Sequence, residues 1–199
     1  MMRAAGVLLA AGRGDRFGGP KALARLDGEP LVARAVRALT QGGCAPVFVV
    51  LGAGAGQAAA LMPPGVQAVI ADDWESGVSA SLRAGLRAVP AGADAPQAAL
   101  IHLVDLPDVG SDVVTRMLDT TTREPRGVLA RATYAGRPGH PVLVGRRHWA
   151  ALLAAVHGDR GAGPWLSSRT DVQPVACDDL ATGDDADTPD ALRRHGRVT

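Results

Sequence analysis

Aromatic side chains are scarce: two Phe, three Trp and one Tyr make up 3% of the 199 residues, although 47% are hydrophobic. A core cannot be built around large rings, so it must be filled with Ala, Val and Leu, which suits helices packed closely on a sheet. Cysteine is rarer still. Cys44 and Cys177 stand far apart with no metal-ligand spacing, which argues against a disulfide framework or a zinc site and predicts two reduced thiols. Charge of one sign is missing too, with 21 Lys and Arg against 20 Asp and Glu. That balance gives no global attraction to nucleic acid or to an anionic membrane, so phosphate binding must be local. No apolar run approaches the roughly 20 residues of a bilayer span. The short apolar stretch Ala4–Ala11 ends in glycines and charges rather than in a cleavage site. The expectation is a cytoplasmic protein with no membrane and no nucleic-acid partner.

Glycine and proline are plentiful, at 25 and 14 residues, and they fall at the ends of apolar runs rather than in one linker. Residues 1–199 therefore read as one domain. About 70% of the extended-chain surface can be buried at this length, so no covalent staple is required. Gly6–Ala10, Pro46–Leu51, Gln67–Ile70, Ala98–Val104 and Val128–Ala132 read as strands with too few polar residues for a solvated face. Such runs belong in a parallel sheet covered on both sides. Pro30–Thr40, Ala55–Leu61, Ser79–Val89, Asp112–Thr121 and Arg147–Val156 carry helical stripes. Pro30 suits a first turn and Ser111 an N-cap. The alternation predicts an α/β, three-layer, Rossmann-like domain with a mainly parallel, doubly wound sheet. The acidic tail after Asp178 is expected to lie across the surface as loop and short helix.

Five segments could carry chemistry. The first runs from Leu9 through Ala10, Ala11, Gly12, Arg13, Gly14, Asp15, Arg16, Phe17, Gly18, Gly19 and Pro20 to Lys21. It follows the first strand at its carboxyl end, where open α/β sheets bind ligands. Its glycines let backbone N–H groups approach an anion, and Arg13, Arg16 and Lys21 offset much of a triphosphate's charge. Ala10 and Ala11 are small enough for a flat base to lie on the backbone. It is not a P-loop, because Lys21 lies between Pro20 and Ala22, nor a dinucleotide fingerprint, because the glycine spacing fails. The second is Leu103-Val104-Asp105-Leu106-Pro107-Asp108, in which Asp105 leaves the end of a strand where it can hold Mg²⁺ against phosphates, or simply cap the turn. Asp108 reads as the turn residue. The third, Gly183 to Asp190, is an acidic run that by itself reads as a solvated turn. In the fourth, Trp74 to Gly85, Gly77 and Ser79 open a helix with free donors, or Ser is an ordinary cap. The fifth, Gly136-Arg137-Pro138-Gly139-His140-Pro141-Val142, reads as a rigid turn that aims His140, or as a structural histidine bonded to the turn. His102, inside a strand, reads as packed.

The first segment resembles the L-A-A-G-x-(S/G)-x-R-(M/F)-G-x-P-K signature of the molybdopterin nucleotidyltransferase family, and within it the molybdenum cofactor cytidylyltransferases. The likeness spans residues 4 to about 192 and includes Gly28-Glu29-Pro30-Leu31 before the first helix. It implies a nucleotidyltransferase (glycosyltransferase-A-like) topology, with a base held by the backbone from Leu9 to Gly12 and by the segment of Gly77 and Ser79. It further implies that Arg16 and Lys21 hold phosphates, and that Arg137 or His140 contacts the phosphate of a pterin acceptor. The tail resembles the family's closing D-(I/V)-D-T-P-E-D-L, which implies a second carboxylate on the Mg²⁺. Asp185 and Asp187 both fill that pattern, with Asp187 the first choice beside Asp105. Ala11 resembles the cytidylyl rather than the guanylyl members, which favours CTP. Ala71-Asp72-Asp73 stands where the family commonly has Asn, and Gly163 where its G-D-x-G-A-R loop has Arg.

The implied activity is transfer of CMP from CTP to the phosphate of molybdopterin, with pyrophosphate released and a molybdenum hydroxylase as the partner enzyme. Open alternatives are GTP or a sugar- or alcohol-phosphate acceptor, a non-catalytic carrier of molybdenum cofactor, and a dinucleotide-dependent oxidoreductase.

Overall fold

The computed structural model describes residues 3–120 and 124–198. Ala4–Ala10 forms β1, every residue of it buried. A run that is apolar on both faces can settle only at the centre of a sheet. Two short strands, β2 (Arg25–Leu26) and β3 (Glu29–Pro30), pair with each other outside the main sheet. Then come α1 (Leu31–Gln41), β4 (Val47–Leu51), α2 (Ala55–Ala60), β5 (Gln67–Ile70), α3 (Val78–Ala88), β6 (Ala98–Leu103) and α4 (Ser111–Asp119). The chain continues through β7 (Leu129–Tyr134), β8 (Arg137–Gly145), α5 (Trp149–Ala155), α6 (Gly163–Ser167), β9 (Gln173–Ala176) and α7 (Pro189–Arg193). The seven-stranded sheet has the order β5-β4-β1-β6-β8-β7-β9. Its pairs are parallel except where β8 meets β6 and β7. This is the mainly parallel α/β sheet expected of a nucleotidyltransferase fold.

Two apolar clusters cover the two sheet faces, and they are made as the composition requires. Leu31, Val32, Val36 and Leu39 of α1 pack into one, Leu82 and Leu86 of α3 into the other. Each is buried to 2% exposure or less, contributing about 1.5–3 kcal/mol apiece relative to an exposed side chain. Gly85 lets α3 sit directly on the sheet, since a Cβ there would lie 2.5 Å from Val7 Cγ1 and 2.9 Å from Val50 Cγ2.

Several local expectations are corrected. Residues 137–142 are not a turn but the start of β8; the turn is Ala135–Gly136, with φ of 48° and 72°. β5 lies at the sheet edge and is largely exposed. Pro30 precedes α1 rather than starting it, and Ser111 is helical, with Gly110 as an N-cap that makes no side-chain bond. Thr121, the expected end of α4, lies outside the described residues. The tail is not merely draped: Ala186, Ala191 and Leu192 are buried. Asp108 anchors it, its Oδ2 accepting from Thr182 N at 2.6 Å and Thr182 Oγ1 at 2.7 Å.

Candidate active site

β1 and β6 run side by side in parallel, so their carboxyl ends reach the same sheet edge. Beyond it lies a cavity of about 690 Å³, lined by residues 9–16, Lys21, the start of α3, residues 103–105, Asp159 and Asp187. That size suits a small-molecule site. The loop after β1 folds on one atom, the Gly14 carbonyl, which accepts from the N–H groups of Phe17 (2.9 Å), Gly18 (2.9 Å) and Gly19 (3.2 Å). Among the described residues, the N–H groups from Gly12 to Arg16 donate to no protein acceptor. They are free donors in a loop that lines the cavity, the kind of group from which an anion cradle is made.

Lys21 joins three distant parts of the chain. Its Nζ donates to Asp105 Oδ2 at 2.7 Å, just past β6, and to Asp187 Oδ1 at 2.5 Å in the tail. Arg16 Nη2 lies 2.9 Å from the other Asp187 oxygen. The tail is delivered by a backbone bond, Ala186 N to Asp105 O at 2.8 Å, and by Thr188, whose Oγ1 caps α7 through Ala191 N at 3.1 Å. Burial lowers the Lys21 pKa, but the charges and hydrogen bonds of Asp105 and Asp187 outweigh it, so the net shift is upward. The bond from Lys21 holds Asp187 below the usual carboxylate range. Asp185 is nearby, its pKa pushed up to about 6 by burial and by the charges of Asp105 and Asp187. Of the two tail carboxylates, Asp187 lines the cavity.

Among the described residues, no three His, Cys, Asp or Glu converge to hold a metal by themselves. Two carboxylates on one ammonium are a hard oxygen pair. Completed by phosphate oxygens, such a pair fits Mg²⁺, which favours one or two carboxylates plus substrate phosphates over a full protein cage.

The other expected residues are placed less uniformly. Leu9, Ala10, Ala11, Gly12 and Gly77 line the cavity. Arg13 lines it as well, but its guanidinium is engaged by Glu75 at 2.8 Å and lies 5.4 Å over the Trp74 ring. Ser79 turns inward instead, with its hydroxyl 3.5 Å from Arg83 Nη1. Ser81, overlooked in the sequence, is the serine on the cavity wall. It stands three residues after Val78, another lining residue, and i,i+3 spacing puts both on one helix face. Arg137 is exposed, 3.8 Å from Asp184, and lies outside the cavity lining, as does His140. His140 nevertheless belongs to this end of the sheet, two residues before the Ile101–Val142 pair. Burial and the Arg131 charge push its pKa down to about 4, with the nearby Asp105 opposing them. His102 is packed, as expected, and fully buried.

Comparison with known proteins gives the family and the fold. A model of the MobA-like NTP transferase domain matches residues 6–173. The nicotine blue oxidoreductase of Paenarthrobacter nicotinovorans is 37% identical over 205 residues, covering 95% of this chain and 94% of that protein. The crystal structure of Rv0371c from Mycobacterium tuberculosis H37Rv superposes with a TM-score of 0.81 at 28% identity, covering 98% of this chain and 97% of that one. A manganese complex of Rv0371c gives 0.79 at 28% identity, covering 97% of both chains. With a match over most of its length, a glycine-rich cradle after β1 and paired carboxylates facing it, the chain belongs to the family of MobA-like NTP transferases.

Proposed function

We propose that this protein transfers CMP from CTP to the phosphate of a molybdopterin-type acceptor and releases pyrophosphate. The observation that carries the reading is the meeting, in one cavity, of the free N–H groups of residues 12–16 with Lys21, Asp105 and Asp187. A triphosphate needs donors and cations on one side and a divalent cation on the other. The backbone from Leu9 to Gly12, with Gly77 and Ser81, would hold the base. Arg16 and Lys21 would take the phosphates, and Lys21 in doing so would release Asp105 and Asp187 to hold Mg²⁺. When bound, the metal would neutralise charge on the α-phosphate and the leaving pyrophosphate. An acceptor phosphate oxygen attacks the α-phosphorus in line, and the bond to the bridging oxygen of pyrophosphate breaks. The acceptor arrives ionised, so positioning and charge neutralisation supply most of the rate. His140, held neutral, would meet the acceptor as a hydrogen-bonding group rather than as a cation, with Arg137 further out. The buried, unpaired Cys44 and Cys177 suit a reducing, cytoplasmic setting.

Pyrophosphate release with molybdopterin, Mg²⁺ and each of the four triphosphates tests the reading; CTP should be used in preference. A second reading is favoured by one observation, the relative whose name is nicotine blue oxidoreductase. A reduced nicotinamide dinucleotide would then occupy the same cavity and pass hydride to an oxidised pigment. Oxidation of NADH or NADPH by nicotine blue, with no pyrophosphate from any triphosphate, would select it.

A further inference from the structure

The cavity lining combines groups of different chemistry. Its wall includes the loop with its free N–H groups, Lys21 and the paired carboxylates, and also Trp74, Gly77, Val78, Ser81 and Asp159. Asp159 belongs to the short 3-10 turn Gly158–Arg160, set between Gly158 (φ 53°) and Gly161 (φ 52°). The turn is pressed onto the start of α3. A Cβ at Gly77 would lie 2.5 Å from Asp159 Oδ1 and 2.5 Å from the Gly158 carbonyl carbon, and one at Gly161 would lie 3.1 Å from Val78 Cγ1. Gly77 itself has φ of 102°, so both backbone and space require glycine there. The Asp159 carboxylate, on an exposed residue, thus lies against Gly77 at the cavity wall.

Among the described residues, that carboxylate accepts no hydrogen bond and pairs with no cation; Arg13, a cation of the same cavity lining, is engaged by Glu75. An acceptor-only group facing a nucleotide cavity repels phosphate and carbonyl oxygens and is complemented by a donor on the part of the ligand beside it. A cytosine base brings one in its exocyclic amine, whereas uracil has a carbonyl oxygen at the same place, which a carboxylate would repel. We infer that Asp159 is a specificity-determining residue that accepts a hydrogen bond from the amine of cytosine and so selects CTP over UTP. The inference rests on the cytidylyl reading above. Guanine carries donors too, but exchanging CTP for UTP changes one edge and leaves size, ribose and phosphates alone, so that pair isolates the contact.

The test is calorimetric binding of CTP, UTP and deoxy-CTP, with Mg²⁺, to the wild type, Asp159→Ala and Asp159→Asn. A hydrogen bond to a charged group is worth about ten- to a hundredfold in affinity. The wild type should prefer CTP to UTP by about that factor. Asp159→Ala should weaken CTP about tenfold or more and leave UTP unchanged or improved. Asp159→Asn, which can donate as well as accept, should bring the two nucleotides to near equality. A CTP preference that survives in both variants overturns the inference alone. So does an equal loss of CTP and UTP, and if deoxy-CTP is unaffected by the variants the contact is to ribose. A wild type that binds no CTP overturns the cytidylyl reading, and this inference with it. Unchanged melting temperatures of the variants would confirm that the turn keeps its seat on α3.

Discussion

Replacing Lys21 with alanine removes the cation shared by Asp105 and Asp187 and leaves two carboxylates facing each other, with Asp185 close by. At 2.7 Å and an effective dielectric constant of about 20, one such attraction is worth about 6 kcal/mol before desolvation. Much of that is offset. The Lys21 and Asp105 side chains are 15% and 20% exposed, so water is only partly excluded, and Asp187 at 36% is more strongly screened. Losing one partner of a fully buried pair costs 3–5 kcal/mol, so about 2 kcal/mol is expected here, or a fall in Tm of about 4–8 °C for a chain of this size. A divalent cation should reverse the effect. In the wild type the ammonium already sits between the carboxylates, so Mn²⁺ without nucleotide should move Tm little. In Lys21→Ala the oxygens that Lys21 held are free, with Arg16 left on the other oxygen of Asp187, and Mn²⁺ at about a hundredfold over its Kd should add about 2.7 kcal/mol. The assay is thermal unfolding of both proteins with and without Mn²⁺, and with Mn²⁺ plus CTP. Equal Tm values without metal, together with equal Mn²⁺ shifts, would refute the reasoning. The variant should also lose orders of magnitude in turnover.

Asp105→Ala should abolish pyrophosphate release while near-native circular dichroism persists; a near-wild-type rate would sink its assignment as a metal ligand. Ser81→Ala should weaken nucleotide binding about three- to tenfold, the worth of one ordinary hydrogen bond, whereas Ser79→Ala should leave binding unchanged, as titration calorimetry would report. Gly85→Ala should cost about 1–3 kcal/mol in a denaturant melt, because its Cβ would press against Val7 and Val50. Asp185, with its folded pKa raised to about 6, is destabilising when ionised. Stability should therefore rise as pH falls through 6 toward the unfolded value of about 3.9. Asp185→Asn should remove that dependence, by at most about 1 kcal/mol, because the carboxylate is only partly withdrawn from water and its neighbours' charges are screened.

The nucleotide half of the fold was legible in the sequence because its signals are local. β1 and the loop that follows announce themselves through an unbroken apolar run, glycines and cations, and Asp105 through its place at the end of β6. β8 was hidden because Pro138, Gly139 and Pro141 look like turn residues. They stand where the ladder to β6 has not begun, since the last pair is Ile101 with Val142, so the N–H groups that proline lacks are not missed there. β9, four residues with one buried, is too short and too exposed to stand out. Ser79 was preferred to Ser81 because a cap is read from position, whereas the facing side of a helix depends on what it packs against. The tail is hard to read for a similar reason: among its described residues Ala186, Ala191 and Leu192 are buried and Leu180, Ala181 and Val198 partly so, too few and too scattered to set it apart from a solvated loop.

The reversal of β8 also has a bearing on how such a protein can diverge. Because β8 runs against β6, its first residues meet the carboxyl ends of β1 and β6 at one rim of the sheet, and the Ala135–Gly136 turn projects beyond that rim. β1, which leads into the glycine loop, lies on the far side of β6 from that hairpin. Residues can be gained, lost or exchanged in the hairpin without disturbing β1 or the glycine loop, so if the proposed acceptor meets His140 there, it could change while the donor half stayed as it is. In that sense the sheet is a socket with one fixed side and one replaceable side.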